Sequence, residues 1–135
     1  TSKKNMQTAK DFINRWHHIV TQQNMDGLDA LLAENVVFSS PVVFTPIPGK
    51  ELTKMYLIAA GFTFNMEQFQ YTREVHDGLH SVLEFETTID DIAVNGVDMI
   101  EWTAEGKILD FKVMIRPRKA VEKVHEKMMS ALEKQ

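Results

Sequence analysis

The chain has 135 residues, 44% of them apolar and 25% charged, and its 15 Lys and Arg stand against 19 Asp and Glu for a formal charge of −4. This length and mixture fit one globular, soluble domain over residues 1–135 and exclude a fibre, a coiled coil and a disordered segment. No apolar run reaches the roughly 18 residues that cross a membrane, no basic stripe offers itself to nucleic acid, and the absence of cysteine removes disulfides and thiolate chemistry.

Met6, Ala9, Phe12, Ile13, Trp16, Ile19 and Val20 recur at gaps of three and four, which predicts an amphipathic first helix ended by Gln22, Gln23 and Asn24. A short second helix follows, with Asp26 as N-cap and Leu28, Leu31 and Leu32 inward. The β-branched and aromatic run Val36 to Phe44 reads as a strand that Pro41 breaks or places at an edge. Thr45 to Gly49 reads as a loop, and a third helix runs from Lys50 to about Ala60, stopped by Gly61. Phe69 to His76 and His80 to Ile89 read as strands joined at Asp77-Gly78, the second with Ser81, Leu83, Phe85 and Thr87 on one face. Asn95-Gly96 is either a turn or a bulge in a longer strand. Val97 to Thr103 and Lys107 to Arg116 form a hairpin, and Pro117 starts a last helix with Val121, Val124, Met128 and Leu132 on one side. Basic residues gather between Arg116 and Lys127, but Glu122 and Glu126 interrupt them, so we read a solvated helix face. Helices first, then one strand, one helix and a run of antiparallel strands give an α+β layout with helices on one face of a curved sheet.

Two stretches resemble the nuclear transport factor 2-like superfamily, in its group of SnoaL-like cyclases and ketosteroid isomerases. One runs from Asp26 to Val42, through Asp26-Gly27-Leu28-Asp29 and Ser39-Ser40-Pro41. The other is Gly96-Val97-Asp98-Met99-Ile100-Glu101-Trp102 followed by Glu105-Gly106-Lys107-Ile108. The resemblance covers residues 6 to 117. It implies a cone-shaped, strongly bent antiparallel sheet wrapped around the N-terminal helices (a cystatin-like α+β barrel), here with an extra C-terminal helix. It also implies an apolar cavity and a homodimer paired through the outer sheet face, around Glu84, Lys112, Met114 and Arg116.

Period-two alternation puts Asp98, Ile100 and Trp102 on one strand face, with Phe111, Val113 and Ile115 beside them on the next. Asp98 is then the one acid on an apolar stripe. A carboxyl there is expected to titrate above its usual range and can donate or exchange a proton, as ketosteroid isomerase, a member of the group resembled, does with a neutral acid. By position, Asp98 matches that group's pocket acid. The bland alternative is a structural pair with a buried His or Arg. The isomerases' general base precedes the strand proline, where this chain has Ser40, whose hydroxyl cannot act as a base at neutral pH. Their helix tyrosine falls, counting back without gaps, on Trp16. The expected ligand-binding wall is Trp16, Phe38, Ser40, Tyr56, Phe85, Ile100, Trp102, Phe111, Val113 and Ile115, with Asp98 as the catalytic residue.

The histidines read mostly as structure. His17 or His18 on the first helix can pair with Asp98 or lie on an exposed flank. His76 and His80 flank a turn with no evident third ligand, so no metal is expected, and no cofactor either. Three functions compete: a cofactor-free isomerase or cyclase acting on a small apolar molecule, a non-catalytic binder of such a molecule, and a dimerisation module. The composition fits a cytoplasmic setting.

Overall fold

The computed structural model describes residues 7–23 and 25–133, so Met6 and Asn24 lie outside the described residues. Helix α1 is Ala9–Gln22, and its buried stripe is Ala9, Phe12, Ile13, Trp16 and Ile19. Thr8 caps it: the Thr8 N–H donates to Asp11 Oδ2 at 2.9 Å, closing a capping box. A 3₁₀ turn at Met25–Gly27 leads into the single helical turn α2, Leu28–Leu31. Asp26 lies within that turn, and Gly27 is the residue at the N-cap. Leu32 is inward as expected, but it opens strand β1, Leu32–Ser39.

β1 ends at Ser39, before Pro41, so Val42 to Phe44 are not strand. The expected loop holds a two-residue strand, β2 (Ile47–Pro48), paired antiparallel to β1. Helix α3 spans Lys50–Thr63 and passes through Gly61 instead of stopping there. A glycine costs a helix only about 1 kcal/mol, which the packing of Leu57 and Ala59 overrides. Four long strands follow: β3 Gln70–Asp77, β4 His80–Ile89, β5 Ile92–Trp102 and β6 Ile108–Arg116. Helix α4, Arg118–Glu133, closes the described chain. Its basic face is braced by acids, with Arg118 Nε to Glu122 at 3.0 Å and Lys127 Nζ to Asp90 at 3.0 Å.

The curved sheet has the order β2-β1-β6-β5-β4-β3. It is mixed, because β1 runs parallel to β6 while every other pair is antiparallel. The β4–β5 turn is Asp90-Asp91, both at positive φ (47° and 68°), and not Asn95-Gly96. Gly96 lies in mid-strand opposite Phe85 and Ile115 with no register shift beside it. A Cβ there would meet the Phe85 ring and stand 2.8 Å from the Met114 carbonyl oxygen, so the glycine admits a ring against the strand.

The core falls into two clusters. One joins α1 to β1, β5 and β6 through residues such as Phe12, Trp16, Phe38, Trp102 and Phe111. The other joins α3 and α4 to β4 and β5 through Ala59, Phe85, Val94, Ala120, Val124 and Met128. Tyr56, Tyr71 and Val113 touch both. Among the described residues no helix is long and apolar enough to cross a membrane.

Candidate functional site

Where the two clusters meet, the helices and sheet leave a cavity of about 80 Å³. Helix α1 contributes Trp16, β1 and the turn after it contribute Phe38 and Ser40, and β6 contributes Phe111, Val113 and Ile115. Phe85 comes from β4 and Asp98 from β5. These eight are the sequence-predicted residues that the fold brings together. Tyr56, Ile100 and Trp102 do not border the cavity. Tyr56 lies against Phe38, ring centroids 5.6 Å apart. Ile100 and Trp102 face inward but sit further along β5, under α1, where Trp102 packs on Phe12 at 5.6 Å.

The rest of the wall lies outside the residues expected to line it. Phe64, Met66 and Phe69 arrive from the segment after α3, and Val124 and Met128 from α4, which thereby covers the cavity. The most consequential addition is Tyr71 of β3. Its hydroxyl donates to Asp98 Oδ2 at 2.6 Å and accepts the Trp16 indole N–H at 2.9 Å. Asp98 is therefore held at the end of a three-residue chain that starts on α1, crosses β3 and ends on β5. Its other oxygen, Oδ1, has no hydrogen-bond partner among the described residues.

Burial dominates the electrostatics. It lifts the Asp98 carboxyl from its ordinary 3.8 to about 7, and the Tyr71 hydrogen bond pulls in the opposite direction without winning. The Tyr71 hydroxyl is pushed well above the usual tyrosine value, first by burial and then by the negative charge of Asp98. At neutral pH the bond thus runs from a neutral phenol to an acid that is partly neutral and partly ionised. Such a carboxyl can accept and return a proton within one cycle.

Among the described residues Asp98 has neither a His partner nor a basic one. His17 Nε2 lies 2.6 Å from Glu74 Oε2, and His76 contacts the same carboxylate at 3.1 Å. His76 Nδ1 also lies 2.9 Å from Ser81 Oγ, which accepts the Trp102 indole N–H at 3.0 Å. These links tie α1 to the sheet. His18 borders a groove on the other flank of α1, and His80 lies on the outer sheet face. Among the described residues no three His, Asp or Glu side chains are arranged to hold a metal ion. Ser40 Oγ accepts the Val42 N–H at 3.1 Å, which fixes the hydroxyl at the cavity wall.

A steroid delta-isomerase from Pseudomonas aeruginosa superposes with a TM-score of 0.88 at 31% identity, over 93% of this chain and 92% of that one. A protein with a cystatin-like fold from Silicibacter pomeroyi superposes at 0.82 and 30% identity, over 88% and 83%. An NTF2-like protein from Mesorhizobium loti shares the fold at 0.70 with 15% identity, over 81% of this chain and 91% of that one. No curated protein matches the chain. The model of the SnoaL-like domain matches residues 13–111, which include α1 from Ile13 on, the turn after β1 and Asp98, and the chain belongs to that family.

Proposed function

We propose that this chain binds a small, mostly apolar carbonyl compound in the cavity and moves a proton on it, with Asp98 as both acid and base and without a cofactor. The observation that carries this reading is a carboxyl, raised to about 7, in a cavity wall that is otherwise uncharged among the described residues. In the proposed step, Asp98 takes a proton from the carbon next to the carbonyl. The C–H pair becomes the C=C bond of an enolate, and the negative charge moves to the carbonyl oxygen. The proton on Asp98 then returns to carbon, at the same or a conjugated position. Ser40 spends its lone pair on Val42 N–H, which leaves its own O–H to donate to the carbonyl oxygen. Tyr71 and Trp16 position the acid and take no proton themselves.

The cavity's size favours a small ligand. About 80 Å³ falls below the roughly 300–1,000 Å³ of sites for drug-sized molecules, so a single ring suits it as it stands. Larger molecules require Met128 and its helix to move. The reading is tested by proton NMR in D₂O with a cyclic enone such as cyclohexenone. We expect α-proton exchange faster than in buffer of the same pH. Binding without exchange would make the protein a carrier, a reading favoured by Ser40 standing where the related isomerases have their base.

The proposal includes a homodimer through the outer sheet face. Val75, Val82, Met99 and Met114 are exposed there, between 36% and 65%. They flank a polar chain in which Arg73 holds Glu84, and Asn95 bonds both Glu84 at 3.0 Å and Arg116 at 3.2 Å. Light scattering at micromolar concentration should give twice the 15.5 kDa of one chain, and Met114→Asp should return the mass to one chain. A cytoplasmic location agrees with the cysteine-free sequence.

A further inference from the structure

The cavity has a charge asymmetry that the proton-transfer reading leaves unused. Among the described residues its wall holds one acid and no Lys, Arg or His. The cross-strand neighbours of Asp98 are Leu83 on β4 and Val113 on β6, both apolar. From β3 it meets the Tyr71 hydroxyl, and from α1 the Trp16 indole lies behind that hydroxyl. The walls from α3 and α4 are apolar, through Leu57, Val124 and Met128, and β1 brings Phe38 and the uncharged Ser40. His17 and Glu74 pair with each other at 2.6 Å, with the His17 ring 5.9 Å from the Tyr71 ring.

Around this unbalanced carboxyl the wall is aromatic. Phe69 stacks on Phe85 at 5.0 Å, and Tyr71 stands edge-on to Phe69 at 5.1 Å. Trp16 meets Phe111 edge-on at 5.0 Å. Ring faces attract cations, and a carboxylate with a free oxygen accepts an N⁺–H hydrogen bond.

We infer that the cavity also receives small aromatic ammonium compounds, with the ammonium on Asp98 Oδ1 and the ring against the aromatic wall. The inference rests on the proposed function only in taking this cavity as the binding site. The ammonium stabilises the carboxylate form of Asp98, so binding at acidic pH must first expel a proton and is weaker there. A carbonyl ligand that accepts a hydrogen bond from the neutral acid shows the opposite trend.

The test is calorimetric titration of the full chain with benzylammonium and with benzyl alcohol, at about pH 5.5 and about pH 8. Benzylammonium keeps its charge at both values, while the ionised fraction of Asp98 rises from a few per cent to most of the population. We expect benzylammonium to bind about thirtyfold more tightly at the higher pH, and benzyl alcohol to show no such gain. Asp98→Asn should remove the pH preference for the amine and still bind the alcohol, which reports an intact cavity. Should that variant fail to fold, the comparison of amine with alcohol on the unaltered chain decides alone. Equal affinity for the amine at the two pH values, or no binding of it at either, overturns the inference. No turnover enters the measurement, so it can fail while enone exchange succeeds, and the reverse.

Discussion

Asp98→Asn is expected to lower enone α-proton exchange at least a hundredfold and to leave the fold as stable as before, or more so, at pH 7 and above. The rate follows from the role: an amide can neither take nor return the proton, and a positioned acid–base group contributes about 10²–10⁴. The stability follows from linkage. Asp98 has a folded value near 7 against an ordinary 3.8, so between those values the folded state binds more protons than the unfolded one. Stability therefore falls as pH rises through that interval and levels off above about 7. The ionised carboxyl's full cost is on the order of 4 kcal/mol, an upper bound that local relaxation reduces. Asn keeps the size, still accepts the Tyr71 hydroxyl and carries no charge. We expect a gain of about 1–3 kcal/mol at pH 8 that shrinks to nothing near pH 4, read from urea melts at each pH. A marked loss of stability at pH 8 with undiminished exchange would place Asp98 in a structural pair and remove the principal residue of the mechanism.

Much of this site is legible in the sequence because strands β4 and β5, and β6 from Asp110 onward, alternate strictly. Along β5 the burial of Val94, Gly96, Asp98, Ile100 and Trp102 against their half-exposed neighbours is period two without a break. Along β4 the same holds from Ser81 to Ile89. An acid at an inward position of such a strand can be found by counting. The failures have local causes. Tyr71 pairs with Phe85, but Arg73 pairs with Glu84, so Thr72 is an extra residue in β3. That bulge reverses the parity of the strand, which lets Tyr71 and His76 both face inward while Val75 is 65% exposed. Simple alternation groups Tyr71 with Val75 and hides it. The expected turn at Asn95-Gly96 fails for a related reason. Asn-Gly is a strong hairpin signal, but here Phe85 needs a strand position without a side chain, and Asp90-Asp91 take the left-handed turn instead. The wall from Phe64, Met66, Phe69 and α4 depends on how distant segments close over the sheet, which no local period encodes.

Tyr71 thus carries the second large effect. Tyr71→Phe removes one oxygen that serves two partners, leaving the Trp16 indole N–H without its acceptor and Asp98 without its donor. Losing a buried hydroxyl with two bonds costs about 1–3 kcal/mol. The sign for Asp98 is also fixed. The Tyr71 bond opposes the effect of burial, so without it the carboxyl rises above about 7. The interval in which stability falls with rising pH then extends further into the alkaline range. At pH 7 less of the acid is ionised, and enone exchange should drop severalfold. It should recover as the pH is raised, because the base itself is still present. The measurement is a pH–rate profile of exchange between about pH 5 and about pH 9 for both proteins, with the variant's rising limb displaced to higher pH. Tyr71 acts by positioning and tuning, so its loss moves the profile where the loss of Asp98 removes it. A variant that is less stable yet keeps the original profile would reduce Tyr71 to packing, and Asp98 would then owe its proton affinity to burial alone.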